Sequence, residues 1–168
     1  MIELKNILVA TDFSEPSTVA LNYGRDLARS YGATLHVVHV IEDLMAFHGA
    51  EIGLAIADVG RNIEAAARQD LEEVLTESDR ATLNSRTVTI RSPSVSHAIT
   101  EYAKVHAIDL IIAGTHGRGA FHRFLIGSVA ERIVRTAPCP VLTVRADERD
   151  FISDDAVVVD AARHGARM

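Results

Sequence analysis

Three glycines, Gly114, Gly117 and Gly119, directly follow the apolar run 109–113. A glycine has no Cβ, so its backbone N–H can approach a ligand closely and its φ can be positive. The side chain of Arg118 lies between two of these glycines and would offset part of the charge of a phosphate chain. We therefore predict a loop that holds a phosphorylated ligand.

A helix is predicted immediately after this loop. Its periodic pattern starts at Val129, behind Gly127 and Ser128, and a helix N-terminus stabilises an anion through its free N–H groups and its dipole. Ser128 also has a structural interpretation, because Ser128 and Glu131 have the spacing of a capping box. A hydroxyl can accept an N–H and donate to a phosphate together, so we predict both roles for Ser128.

The spacing of the glycines excludes two common phosphate-binding motifs. No G-x-x-x-x-G-K-[ST] occurs, and G-x-G-x-x-G fails because Gly119 is followed by Ala120, Phe121 and His122. The pattern that remains is G-x-x-G, nine further residues, and then G-S. That pattern resembles the ATP-binding motif of the universal stress protein family.

Two other stretches share this resemblance. Residues 5–14 (KNILVATDFS) look like the family's first strand and acidic turn, and residues 137–145 (APCPVLTVR) look like its last strand. The resemblance covers about residues 3–145. It implies a universal stress protein domain over residues 1–145, with residues 146–168 as a C-terminal extension.

The resemblance also implies roles for residues outside the glycine loop. Asp12 would accept hydrogen bonds from a ribose or an adenine amino group, although a turn aspartate commonly binds its own backbone. The backbone of Val40 would meet the adenine edge, with the Thr11 backbone nearby. Arg118 would lie near the phosphates, although an arginine on a loop is equally often solvated. Apart from the resemblance, His116 is a candidate to reach the phosphates or to stack on the base, although a histidine on an exposed loop needs no function. The full predicted set is Thr11, Asp12, Val40, Gly114, His116, Gly117, Arg118, Gly127, Ser128 and Val129.

Strand-like and helix-like segments alternate along the chain. Residues 6–10 and 109–113 are continuous apolar runs, as in strands buried on both faces of a parallel sheet, whereas residues 85–91 alternate as in a half-exposed strand. Five strands and four helices predict an open α/β sheet with helices on both faces. The resemblance implies a Rossmann-like strand order 3-2-1-4-5, which would bring Asp12 and Gly114 together at the point where the order reverses.

Helix boundaries follow from local signals. Ser14 is predicted to cap the first helix and Gly32 to end it, while Ser92-Pro93 is predicted to open the helix after the third strand. We expect a long loop or short helix over residues 42–60. An amphipathic helix is expected to follow that segment.

Composition limits the class of protein. The 168 residues carry a net charge of −6, which argues against nucleic acid or an anionic membrane as the main partner, and no apolar run is long enough to span a bilayer. The single cysteine, Cys139, and the lack of a signal-like start indicate a reducing cytoplasm. His36 and His39 should face opposite sides of a strand, and we predict no metal site made by protein ligands alone.

We therefore expect a nucleotide-dependent stress-response module that binds ATP or AMP, with Mg²⁺ carried by the phosphates and little or no dedicated catalysis. A homodimer through strand 141–145 and an unidentified protein partner are implied by the resemblance. Two alternatives stay open, namely an interaction module without a nucleotide and a slow nucleotide hydrolase. Time-dependent ADP or AMP release would favour the hydrolase.

Overall fold

The fold comes from a computed structural model that describes residues 1–43, 53–115 and 127–145, with side chains between 53 and 59 excepted. Its strands are β1 (Asn6–Ala10), β2 (Thr34–Glu42), β3 (Ser85–Ser92), β4 (Leu110–Gly114) and β5 (Val141–Val144). Its helices are α1 (Glu15–Tyr31), α2 (Gly53–Glu73), α3 (Glu77–Thr82), α4 (Val95–Val105) and α5 (Ser128–Thr136). Within the described ranges, no helix has the length and apolar character needed to cross a membrane.

The strands form one parallel sheet in the order β3-β2-β1-β4-β5, which confirms the predicted fold class and strand order. The order reverses at β1, because β2 lies on one side of β1 and β4 on the other. β3 is an edge strand whose residues are mostly half-buried, as its alternating sequence indicated.

Side chains of successive strand residues enter two separate cores. Ile7, Val9 and Val37 face one core together with residues of α1 and α2. Leu8 and Val38 face the other core with residues of α4 and α5. This alternation explains why the central strands are apolar throughout, since both faces of the sheet are covered.

Helix α1 packs closely on the sheet at Gly24. A Cβ at Gly24 would collide with the side chain of Val9 and lie 3.2 Å from Cδ1 of Leu35. The helix ends where predicted, at Gly32, which has a left-handed φ of 65°. Glycine therefore serves close packing at one position and backbone conformation at the other.

His36 and His39 face opposite sides of β2, as predicted. Nδ1 of His36 lies 2.9 Å from the hydroxyl of Tyr102 on α4, whereas the ring of His39 packs against Phe13 with centroids 4.5 Å apart. His36 is only 2% exposed. Burial, followed by the positive charges of Arg86 and His106, lowers the pKa of His36 to about 4.

The structure corrects two expectations between β2 and β3. Helix α2 already begins at Gly53, so residues 53–60 are helical; residues 44–52 lie outside the described part of the chain. A fifth helix, α3, follows, and it is stabilised by a capping box in which Thr76 and Asp79 bind each other's backbone N–H groups. A helix of only six residues has too short a periodic pattern to be recognised by its spacing.

Of two predicted helix starts, the first is confirmed in position but not in its capping bond, and the second is wrong. Ser14 occupies the N-cap position of α1, but its hydroxyl makes no capping hydrogen bond and donates to Asp12 Oδ1 instead. Helix α4 begins at Val95 with Ser94 as N-cap, so Pro93 precedes the helix. The reason is that β3 continues to Ser92, whose hydroxyl accepts the Ser94 N–H in a turn.

Candidate functional site

A cavity of about 400 Å³ opens at the carboxyl ends of β1 and β4. It is bordered by seven of the residues predicted for the site: Thr11, Asp12, Val40, Gly114, Gly127, Ser128 and Val129. The other three predicted residues, His116, Gly117 and Arg118, lie outside the described residues. Stretches distant in sequence are thus brought to one place.

The cavity exists because β1 and β4 turn apart where they end. Beyond β1, the N–H of Thr11 donates to the carbonyl of Val38 at 3.0 Å, so the chain follows β2. Beyond β4, the N–H of Thr115 donates to the carbonyl of Val144 at 2.8 Å, so the chain follows β5. The crevice between the two strand ends is where open α/β sheets bind ligands.

The N-terminus of α5 forms one wall of the cavity. Gly127 is the N-cap, with φ −60° and ψ 149°, and its carbonyl accepts the N–H of Glu131 at 2.9 Å. The N–H groups of Ser128, Val129 and Ala130 have no acceptor within the helix, because they belong to its first turn. This wall therefore offers hydrogen-bond donors and the positive end of the helix dipole.

The predicted capping box at Ser128 is wrong. The helix includes Ser128 as its first residue, and no side chain of the described residues caps it. Glu131 pairs instead with Arg135, at 3.4 Å. The Ser128 hydroxyl is therefore not engaged in capping, and of its two predicted roles only the ligand contact stays a prediction.

Asp12 binds groups of its own turn, which is the structural alternative to a ligand contact. Its Oδ1 accepts the Ser14 N–H at 3.1 Å and the Ser14 hydroxyl at 2.5 Å. The carboxylate is half-buried and borders the cavity. These contacts fix the orientation of Asp12 at the end of β1.

The turn after β1 is stabilised by hydrogen bonds of the Thr11 and Ser17 hydroxyl groups. The Ser17 hydroxyl donates to the carbonyl of Ser14 at 2.8 Å, so the Thr11 hydroxyl, 3.2 Å from Ser17 Oγ, is the donor of that pair. Thr11 Oγ1 in turn accepts the N–H of Phe13 at 3.1 Å. Phe13 has a left-handed φ of 64°, a conformation that costs a non-glycine residue about 1 kcal/mol or more.

Val40 lies on β2 beyond the end of β1. Alternate residues of a parallel strand direct both backbone groups towards the same neighbour. Thr34 donates to Lys5 and Val38 accepts from Thr11, so the even-numbered residues of β2 face the β1 side. The backbone of Val40 consequently faces the cavity.

A model of the Universal stress protein family matches residues 3–145. The chain belongs to this family. It is 36% identical over 141 residues to universal stress protein A homolog 1 of Coxiella burnetii, covering 83% of this chain and 95% of that protein. A Staphylococcus haemolyticus protein with the same family name is 34% identical over 149 residues, covering 88% of each chain.

Solved structures give the same relationship. Universal stress protein UspA from Lactobacillus plantarum superimposes with a TM-score of 0.71 and 29% identity, covering 86% of this chain and all of that one. Two others share the fold at lower identity. One is a universal stress protein in complex with cAMP (TM-score 0.62, 20% identity), and one is the Archaeoglobus fulgidus protein in complex with dAMP (TM-score 0.60, 17% identity).

The apolar walls of the cavity were not predicted as site residues. They come from all three layers around the cavity, and they are Ala10, Val38, Val95, Ile99, Ala113, Ala130 and Ile133. The sequence signal was present, because Val95 and Ile99 are four residues apart on one face of α4. That spacing marks any buried face, so it cannot separate a ligand wall from ordinary core.

Gly114 has a reason to be glycine in addition to the predicted approach of a ligand. Its φ is not positive, and a Cβ there would lie 2.9 Å from Cβ of Pro16 and 3.1 Å from the backbone nitrogen of Ser17. The missing side chain therefore allows the first turn of α1 to approach β4. Gly114 still borders the cavity through its backbone.

Proposed function

We propose that this chain binds an adenine nucleotide in the cavity between the ends of β1 and β4. The observation that carries the proposal is that one cavity joins the polar backbone edge of Val40 to the N-terminus of α5. A purine base needs hydrogen-bonding groups beside apolar walls, and a phosphate chain needs N–H donors. Both are present in the same cavity.

The proposed ligand orientation follows from these two ends. The base lies at Val40 between Val38 and Ile99, and the ribose lies near Asp12. The phosphates point to the N–H groups of α5 and to the Ser128 hydroxyl. His116, Gly117 and Arg118 are proposed to complete the phosphate site, with Mg²⁺ entering on the phosphates.

The family and its structures support the nucleotide class. Membership in the universal stress protein family rests on residues 3–145, which include every residue of the proposed site. The complexes with cAMP and dAMP concern other proteins of the same fold, and both ligands are adenine nucleotides. We propose ATP as the main ligand, AMP as the competitor to test against it, and the cytoplasm as the location.

The biochemical role proposed is a nucleotide-dependent module in the stress response. The bound nucleotide would bias the conformation of the chain, and a protein partner would bind one of the two states. In this role the protein binds the nucleotide with little or no dedicated hydrolysis.

The first experiment measures the nucleotide content of freshly purified protein by acid release and chromatography. Calorimetric titrations of ATP, AMP and cAMP with and without Mg²⁺ then rank the ligands. We expect ATP to co-purify with the protein or to bind tightly in the titration. A Ser128→Ala variant should bind ATP less tightly. If neither the wild type nor any variant binds an adenine nucleotide, the proposed function is wrong and the interaction module replaces it.

A homodimer through β5 is part of the same proposal. β5 is an edge strand, and Leu142 and Val144 share the parity of the residues that pair with β4, so Val141 and Thr143 direct their backbone groups outward. A Thr143→Pro substitution removes one outward N–H and leaves the pairing with β4 in place. Light scattering should show a dimer for the wild type and a monomer for Thr143→Pro.

A further inference from the structure

The hydrogen-bond ladder between β1 and β2 ends before it reaches Val40. The register runs up to Ala10 opposite Val38, and the last hydrogen bond joins the Thr11 N–H to the Val38 carbonyl at 3.0 Å. The next bond of a parallel ladder would join the Val40 N–H to the Thr11 carbonyl. No backbone hydrogen bond between Val40 and Thr11 is formed in the described part of the chain.

The carbonyl of Thr11 has another partner. It lies 2.8 Å from Nδ1 of His39. A carbonyl oxygen can only accept, so Nδ1 of His39 carries the proton and donates it. His39 has the same parity as Val37, whose side chain faces the core under α1, so the Thr11 carbonyl is bound from that face of the sheet.

The position of the His39 ring is fixed from a second side. Its centroid lies 4.5 Å from that of Phe13, with an angle of 34° between the rings. Phe13 is the turn residue with φ 64°, and its N–H binds Thr11 Oγ1. The ring contact and the hydrogen bond together hold the turn in a conformation that the sequence of the turn alone would not favour.

We propose that His39 is a positioning residue for the cavity. By holding the Thr11 carbonyl, its Nδ1–H keeps the backbone edge of Val40 open to a ligand base. Without that donor, the carbonyl is free to accept the Val40 N–H, which is the next bond of a parallel ladder, and the edge closes. The inference deepens the proposed nucleotide function and rests on it only where ligand affinity is concerned.

The test compares two substitutions at one position. His39→Phe keeps an aromatic ring against Phe13 and removes the donor. His39→Asn places an amide nitrogen where Nδ1 lies and keeps the donor. His97→Phe, at an exposed position of α4, is the matched control.

Hydrogen exchange of the Val40 amide, measured by NMR on nucleotide-free protein, decides the inference without any ligand. We expect exchange to slow at least tenfold in His39→Phe, because the Val40–Thr11 bond forms, and to keep the wild-type rate in His39→Asn and His97→Phe. An unchanged Val40 rate in His39→Phe overturns the inference, whatever the protein binds.

Calorimetry adds the consequence for binding. We expect His39→Phe to bind ATP about tenfold more weakly and His39→Asn to recover most of that loss. Ribose 5-triphosphate, which has no base, should bind the wild type and His39→Phe equally. An equal loss for both ligands would indicate general damage to the cavity and would contradict a role confined to the base. If the wild type binds no nucleotide at all, the proposed function fails, and the amide exchange still decides the role of His39.

Discussion

Gly114 and Pro16 approach so closely that a Cβ on Gly114 would lie 2.9 Å from Cβ and 3.0 Å from the carbonyl carbon of Pro16. The end of β4 and the first turn of α1 are therefore in direct contact. Since α1 begins directly after the turn that carries Asp12, this contact also holds that turn beside the end of β4.

Gly114→Ala should destabilise the fold by about 1–3 kcal/mol, because the added methyl group meets backbone atoms of α1 that cannot move alone. Gly60→Ala is the matched control. A Cβ at Gly60 meets only the flexible end of Arg91, and alanine is the better helix former, so that variant should gain about 0.5–1 kcal/mol. Urea unfolding of both variants checks the opposite signs. A neutral Gly114→Ala would contradict the close contact.

The glycines show how far the sequence could predict the site. Gly32 was predicted correctly, since a helix end needing positive φ is a local property. The position of Gly114 at the cavity was also predicted, but its contact with Pro16 depends on how α1 packs against β4, which no local pattern contains. The capping box predicted at Ser128 was wrong because its spacing is equally compatible with a helix that starts one residue earlier.

Asp79 should be among the most costly polar residues to replace. Its carboxylate is 1% exposed and accepts from Arg25 and Arg29, each at 2.8 Å, and from the Thr76 N–H. Burial raises its pKa, but the hydrogen bonds from Thr76 and the charge of Arg25 outweigh burial, so the pKa is lowered overall. Asp79→Asn should cost about 3–5 kcal/mol, because it leaves the Arg25 charge uncompensated.

The control for Asp79 is an exposed ion pair on α2. Glu64 pairs with Arg68 at the surface, and Glu64→Gln should change stability by at most about 0.5 kcal/mol. Thermal and urea unfolding of both variants at pH 7 provide the comparison. Because the folded pKa of Asp79 is lowered, its contribution is present above the unfolded pKa and is lost as the pH falls through the folded value.

His36 should make stability depend on pH in the mildly acidic range. Its pKa is lowered from 6.5 to about 4, first by burial and then by Arg86 and His106. Between these two pH values the unfolded state therefore binds a proton at His36 that the folded state does not bind. The stability that is present above pH 6.5 is consequently lost as the pH falls towards 4. The loss should be on the order of 1–3 kcal/mol.

The variant that tests this pH dependence is His36→Leu. It removes the titrating group, along with a buried Nε2 that finds no hydrogen-bond partner among the residues that the structure describes. The free energy of unfolding, measured from pH 7.5 to 4, should fall less steeply for His36→Leu than for the wild type. A constant difference between the two proteins over this range would show that His36 does not carry the effect.

The N-terminus of α5 gives the last prediction, because binding and folding can be separated there. Gly127 has φ −60°, which any residue can adopt, so Gly127→Val should fold with a loss of about 1 kcal/mol. Its branched side chain would stand beside the first N–H groups of the helix and hinder a phosphate. We expect ATP affinity to fall by at least tenfold, with Gly127→Ala in between, and calorimetry on samples with matched unfolding curves measures it. Wild-type affinity in Gly127→Val would contradict the proposed orientation, because it would place the phosphates elsewhere in the cavity. Only the proposed position of the base at Val40 would then remain.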